Sequence, residues 1–352
     1  MIMSHTSPAG NRVRQRRTAR GWSQLELAER AAISRTAVSA IEGDRLAPSV
    51  TTALSLARVL ECTVEDLFDE SASTQQGSAW AWPAAEFPAR YWTADVGPRS
   101  LRYPTEPTAD GELPHDGVAS SESQLRPERA SAPDTLVLAG CDPAAGLLAR
   151  LYERTTRFRL LPLIRSSRAA LDLLQRGLVH VAGVHLGTRA GPDNQDVVRR
   201  TLGAGYQLLR GADWEAGVAV APGRSPGSIR SLVRGRTRWV ARETGSGARQ
   251  LLDHLFSRPR SFHRTADDHR SVAAALRCGW ADAGVCLRFV SGESRLSFLS
   301  LGWEQYDLCY PASLADDPRI RALIEVVQSR DYRRLIGELP GYDARETGSL
   351  HG

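Results

Sequence analysis

Trp22–Asp44, WSQLELAERAAISRTAVSAIEGD, carries the signals of two short helices joined by a tight turn. Ser23 is a good helix cap, and Glu26, three residues on, can reach back to its amide, which makes a capping box. Trp22 before the cap and Leu27 one turn in form a hydrophobic staple. A first helix is therefore expected from Ser23, with Leu25, Ala28 and Ala31 as its apolar stripe. Ala32 and Ile33 supply a turn, and Ser34 caps a second helix ending near Glu42. Val38 and Ile41 point inward from it, leaving Ser34, Arg35, Thr36, Ser39 and Ala40 near its start for contacts outside.

Two short helices joined this way can place the start of the second in the DNA major groove while the first crosses the backbone. The fork of Arg35 matches guanine O6 and N7, Thr36 and Ser39 serve several bases, and Ala40 fits a thymine methyl. Gln24, at the positive end of the first helix, suits a phosphate. Arg45 belongs to the same basic excess: residues 1–60 hold nine Arg and four acids, a net +5 equal to that of all 352 residues. Double-stranded DNA is the partner expected from this concentration of charge.

Through SQLELAERAAIS, AVSAIEGD, the following PS and VEDLF, residues 11–68 resemble the Cro/phage-repressor (Xre-type) helix-turn-helix family. The family usually carries Gly where this chain has Asp44, a residue that tolerates left-handed backbone better than most. The resemblance implies an all-α head of five helices. It also implies action as a homodimer on half-sites about one helical turn (~34 Å) apart.

The rest of the composition is that of an ordinary globular chain, 42% hydrophobic and 24% charged. No apolar run reaches the ~18 residues of a membrane span, and MIMSHTSPAG lacks a signal peptide's features, so a cytoplasmic protein is expected. There is no lysine, which excludes Walker-type phosphate loops and Schiff-base chemistry. The five cysteines (62, 141, 278, 286 and 309) show no metal-like spacing and read as reduced thiols. His180/His185 and His263/His269 lack the helical i, i+4 spacing of a zinc site, so no metal or other cofactor is expected.

Residues 1–70 are read as the DNA-binding head and 71–133 as a linker bearing a short aromatic β-element, with strands in RYWTADV and PRSLRYP turning at Gly97-Pro98. From 134 to 352, apolar strands (TLVLAGC, FRLLPLI, LVHVAGVHL) alternate with helices, the pattern of an α/β domain with a parallel sheet. Asp142 is read as the cap of the helix after the first strand, with Pro143 at its first position. Loops after such strands form ligand crevices. The sharpest is Arg242-Glu243-Thr244-Gly245-Ser246-Gly247-Ala248-Arg249. There the amides of Gly245, Ser246 and Gly247, the hydroxyls of Thr244 and Ser246, and the side chains of Arg242 and Arg249 can surround an anion at a helix start. Ser166 and Ser167 open another helix. Asp142 would repel an anion unless it is turned away, and His185, Asp282 and Tyr306 lie at strand edges.

The blocks TLVLAGCDPA, SSRAALDLLQRGLVHVAGVHL, RETGSGARQLLD, GWADAGV, EQYDL and LPGYD make residues 135–348 similar to the periplasmic-binding-protein-like domain found fused to DNA-binding domains and molybdenum-related proteins. The resemblance implies a two-lobed type II fold closing on a ligand. It puts Asp142, Ser166, Ser167, His185, Thr244, Ser246 and Asp282 near the interlobe cleft, and suggests a molybdate- or tungstate-like oxyanion as effector. The function expected is a ligand-responsive transcriptional regulator and not an enzyme. The alternatives are an enzyme acting on a small metabolite or pterin precursor, and a second domain that only dimerises.

Overall fold

The computed structural model describes residues 13–43, 45–68, 79–108, 110–121, 125–127, 132–187, 193–224 and 227–351. Asp44 and most of the segment between the head and the aromatic strands lie outside them. The chain forms two compact units, residues 1–77 and 78–352. No helix among the described residues is long and apolar enough to cross a membrane.

The first unit is helical: α1 Val13–Ala19, α2 Gln24–Ala31, α3 Arg35–Glu42, α4 Val50–Val59 and α5 Val64–Phe68. Ser23 and Glu26 close the expected capping box, and Ser34 caps α3 by accepting from the Ala37 amide. Ala32 takes the left-handed turn with φ 55. Two stripes differ from the periodicity reading. Leu27 is buried in place of Leu25, and α4 buries Ala53, Leu56 and Ala57, leaving Val50 78% and Leu54 53% exposed. Both faces of α4 carry apolar residues, so spacing alone did not choose between them.

The second unit opens with a five-stranded sheet of β1 Ala79–Trp80, β2 Ala89–Val96, β3 Arg99–Pro104, β4 Gly117–Ala119 and β5 Leu125–Pro127 in the order β1-β3-β2-β4-β5. The expected hairpin turns at Gly97-Pro98, pairing Val96 with Arg99. This sheet is built into the second unit: Trp92, Leu101 and Tyr103 share a core with Val137, Leu161, Leu171 and Val184. Asp116 receives two bonds from the Arg159 guanidinium, at 2.6 and 2.7 Å.

The larger sheet has ten strands. Its first half contains β6 Thr135–Gly140, β7 Arg159–Ile164 and β8 Val181–Val184, all parallel, with helices α6 Ala145–Thr155, α7 Ser167–Gln175 and α8 Asn194–Leu202. Two strands of 15 residues each, β9 Tyr206–Val220 and β13 Ser297–Pro311, then run antiparallel from this lobe into the second. The second lobe holds α9 Ile229–Arg234, β10 Trp239–Arg242, α10 Gly247–His254, β11 Thr265–Ala266, α11 His269–Arg277, β12 Ala283–Leu287 and α12 Arg288–Glu293. Helices α13 Pro318–Gln328 and α14 Arg330–Gly337 follow, and β14 Tyr342–Asp343 and β15 Leu350–His351 pair with β9. In the order β11-β10-β12-β9-β13-β8-β6-β7, β9 pairs with β12 of the second lobe, β13 with β8 of the first, and β9 and β13 with each other.

His180 fastens the small sheet to the first lobe. Its Nδ1 accepts from the Val137 amide at 3.0 Å, so Nε2 carries the hydrogen donated to Asp95 O at 2.8 Å. Burial, then Arg319, pushes its pKa down from 6.5 to about 4. The unfolded chain therefore binds more protons than the folded one between those values. Stability held above the unfolded value is lost as pH falls, by about 2 kcal/mol between pH 7 and pH 5. Urea denaturation at both values checks this; His180→Gln should lose that part of the pH slope while being less stable at pH 7.

Candidate functional site

On the first unit, Arg35 and Thr36 are exposed at the start of α3, and Ser34 Oγ lies 2.9 Å from Thr36 Oγ1. Arg45 reaches back to Ser39, at 3.4 Å from its carbonyl and 3.5 Å from its hydroxyl. Ala40 is half-buried beside them. Gln24 is already engaged: its amide donates to Glu42 Oε2 at 2.9 Å. Glu42 also takes two bonds from Arg17, at 2.6 and 3.0 Å, while Arg17 Nη1 donates to Trp22 O. One of the nine arginines thus joins α1 to α3 inside the head and does not face outward.

On the second unit, the two lobes meet around Trp214 of β9. Its ring stacks on Tyr306 of β13 at 4.6 Å and meets His185 edge-on at 5.0 Å, and its Nε1 donates to Glu304 Oε2 at 3.2 Å. From the first lobe come Cys141 and Asp142 after β6, Ser166 and Ser167 at the start of α7, and His185 after β8. From the second come Arg242 ending β10, Ser246 and Gly247 opening α10, and His269 opening α11.

Several predicted residues serve the protein itself. Ser246 Oγ caps α10, accepting from the Arg249 amide and donating to Glu243 O at 3.0 Å. Ser167 Oγ accepts from the His185 amide, whereas the buried Ser166 hydroxyl makes no capping bond. Gly247 sits so close to His185 that a Cβ there would fall 2.4 Å from its carbonyl oxygen, and Gly245 packs similarly on the Arg168 side chain. These contacts hold α10 directly against the first lobe.

Two expectations, for Asp142 and Asp282, need correction. Asp142 does not cap the helix: α6 starts at Ala145, and Asp142 Oδ1 instead accepts from the Ala144 amide at 2.9 Å and the Tyr342 hydroxyl at 2.6 Å. Asp282 lies at the other end of the second lobe's strands, bound by Arg238 at 2.7 Å and Arg224 at 3.3 Å. Because β10 and β12 are parallel, four residues at ~3.3 Å separate it from the Arg242 end by about 13 Å. Thr244 is exposed. Arg249 turns along its helix to Asp253 at 3.0 Å, over the Phe262 ring.

The remaining polar groups at the junction form an unusual set. Buried and without a hydrogen-bond partner are His185 Nδ1, both ring nitrogens of His269, Arg242 Nη1 and the Tyr306 hydroxyl. The other guanidinium nitrogens of Arg242 are held by Glu243 at 3.0 and 3.1 Å. His185 Nε2 lies 3.1 Å from Cys141 Sγ, and its Nδ1 is 3.4 Å from Glu304 Oε2 without hydrogen-bond geometry. Burial works against a charge on His185, but Cys141 and Glu304 outweigh it and push the pKa up to about 10. On His269, burial, then Arg242 and His185, hold the pKa well below its ordinary value. Burial also raises that of Asp142, against the bonds from Tyr342 and Ala144.

A cavity of about 130 Å³, lined by Gly187, Ala216, Leu251 and Leu301 to Glu304, shares Glu304 with this cluster. A larger groove of about 600 Å³ along α6 shares no residue with it. Cys141, Trp214, His269, Glu304 and Tyr342 were missed from sequence. Cys141 directly precedes a residue singled out there, and His269 opens a helix beside the junction; position relative to strand and helix ends was the available signal.

Residues 148–328 match the family described as PBP superfamily domain, and residues 13–67 match the helix-turn-helix family. An uncharacterized protein of Bacillus subtilis (strain 168), YvgK, is 28% identical over 258 residues, covering 70% of this chain and 80% of its own. Similar solved structures include an ABC-type phosphate transport receptor from Vibrio cholerae, at 14% identity and TM-score 0.42, covering 59% of this chain and 99% of that one. Another is the tungstate ABC transporter from Geobacter sulfurreducens, at 14% identity and TM-score 0.44, covering 58% and 98%. The chain belongs to the PBP superfamily and carries an Xre-type helix-turn-helix at its N-terminal end.

Proposed function

We propose that the protein is a DNA-binding transcriptional regulator whose second unit senses a small effector where its lobes meet. The observation that carries this reading is the collection of partnerless buried polar atoms at that junction. Buried polar groups in folded proteins almost always have partners, and these come from both lobes, as the jaws of a clamp would supply them. Arg242 Nη1 and the Tyr306 hydroxyl are donors awaiting an acceptor, which favours an oxyanion of the molybdate or tungstate class. Ser166, whose hydroxyl makes no capping bond, adjoins Ser167, which holds the His185 amide. Ligand closure that differs between DNA-bound and free states by about 1–3 kcal/mol is enough for control.

The head reads DNA through Arg35, Thr36, Ser39 and Ala40, with Ser34, Gln24 and Arg45 beside them, and we assign it two-fold pairing with a second copy. Val50 and Leu54, exposed one turn apart on α4, favour that pairing; sedimentation of the full chain tests it. Arg35→Ala should cost about 1–3 kcal/mol at one base pair of the selected site. A loss spread evenly over all sequences would make Arg35 a phosphate contact instead. The central experiment selects bound fragments from genomic DNA and then measures affinity with and without molybdate, tungstate and phosphate. A melting shift accompanied by a change in DNA affinity is expected. Absence of any response to these anions would remove the oxyanion reading. The Ser246 hydroxyl, bonded to Glu243 O and the Arg249 amide and to no histidine, gives the enzyme alternative no support.

A further inference from the structure

We propose that Cys141, His185 and His269 bind one Zn²⁺ ion that ties the two lobes together. The three side chains are buried, and one ligand atom from each lies within 4.8 Å of the others. Zinc takes thiolate sulfur at ~2.3 Å and imidazole nitrogen at ~2.0–2.1 Å, which places neighbouring donors about 3.3–3.6 Å apart in a tetrahedral site. Cys141 Sγ and His185 Nε2, at 3.1 Å, are close to that spacing already. The His269 nitrogen, within 4.8 Å of the other two donors, reaches the same spacing with a movement of no more than about 1.5 Å.

The surroundings suit an ion. His185 turns Nδ1 towards Glu304, itself held by the Trp214 indole at 3.2 Å. The 3.4 Å separation from Glu304 lacks hydrogen-bond geometry as it stands, and a carboxylate bonded there would fix the tautomer that leaves Nε2 free for metal. His269 is the decisive contrast with His180. His180, a structural histidine of the same unit, has both ring nitrogens bonded, whereas both nitrogens of His269 are buried and bare. The charge of Arg242 nearby is compensated by its two bonds to Glu243. One thiolate and two imidazoles are donors that zinc accepts, and three protein ligands leave a fourth position for solvent or an effector oxygen. Two ligands follow strands of the first lobe and the third opens a helix of the second, so the ion would act across the junction. The site shares the bare His269 nitrogens with the set that supports the effector reading, but not that reading's donors, Arg242 Nη1 and the Tyr306 hydroxyl.

The test uses the full chain, stripped with chelator, reloaded with Zn²⁺ and desalted. One retained zinc per chain is expected, falling at least tenfold in Cys141→Ser and in His269→Gln. His263→Gln, which alters an exposed histidine, should retain it. Co²⁺ loaded into the unmodified chain should show the near-ultraviolet absorption of a cobalt–thiolate bond, a readout that does not depend on a variant folding. Failure to retain zinc, equal retention in all three variants, or bound Co²⁺ without thiolate absorption would each overturn the site. If molybdate stabilises a chain that retains no zinc, this proposal fails and the effector reading stands. Zinc retained by the wild type and lost in both ligand variants, without any response to oxyanions, gives the reverse result.

Discussion

Glu42→Ala is expected to unfold the DNA-reading unit under conditions in which the second unit stays folded. Arg17 and Glu42 are both largely buried, with side chains 10% and 3% exposed. Burial opposes the Glu42 charge, but Arg17 and Gln24 outweigh it and hold its pKa below the usual carboxylate range. Removing the carboxylate strands the guanidinium among α1, α2 and α3, and breaking one partner of a buried pair costs about 3–5 kcal/mol. A unit of this size has only ~3–8 kcal/mol in total, at roughly 0.05–0.15 kcal/mol per residue. Helix content by circular dichroism should fall by the head's share, and DNA binding should be lost. The double replacement Arg17→Met with Glu42→Leu should restore much of the stability, because an apolar pair avoids the desolvation that the ions suffer. An unchanged first melting transition in Glu42→Ala would show that the pair contributes nothing.

Gly247→Ala is expected to hold the lobes apart. Its new Cβ would meet the His185 carbonyl at 2.4 Å and two ring atoms at 2.5 and 2.6 Å. A backbone oxygen on a strand end cannot step aside, so α10 must withdraw from the first lobe. Overpacking of this kind costs about 1–3 kcal/mol. Charged against closure, that weakens effector binding roughly 5- to 150-fold, since 1.4 kcal/mol is a factor of ten. Small-angle scattering should report a larger radius, and the effector-induced melting shift should shrink or vanish. Gly292→Ala is the control: nothing lies within 4 Å of its added Cβ, and on α12 alanine should stabilise by up to ~1 kcal/mol. Identical scattering and melting shifts in Gly247→Ala and the wild type would refute the closed-clamp account.

The head was legible because its signals are local: a cap, a staple and a turn lie within Trp22–Glu42 and need no distant partner. The stripe on α4 was misread because Val50 and Leu54 compete with Ala53 and Leu56, and only tertiary packing chooses. In the second unit, β6, β7 and β8 announced themselves as continuous apolar runs. β9 did not, since Arg210, Asp213 and Glu215 break its pattern. The fold buries Arg210 against Asp307 at 2.6 Å and pairs Glu215 with Arg288, so charged residues occupy sheet positions that periodicity assigns to loops. β13 shifts register between Ser300 and Gly302 and again between Tyr306 and Asp307, so no single alternation runs along its 15 residues. At the junction, loops at strand ends could be picked out one at a time. Which loops face each other could not, because β9 and β13 bring together residues more than a hundred positions apart.

The place of β13 in the sheet has a consequence for how the protein is made. It slots between β8 and β9, which are synthesised at least 77 residues before its first residue, Ser297. Until the ribosome has delivered that segment, both earlier strands present open edges, a situation that slows folding and invites aggregation. The head needs nothing beyond residue 68 for its own core. Every newly made chain therefore passes through an interval in which the head has its whole core and the second unit still lacks a central strand.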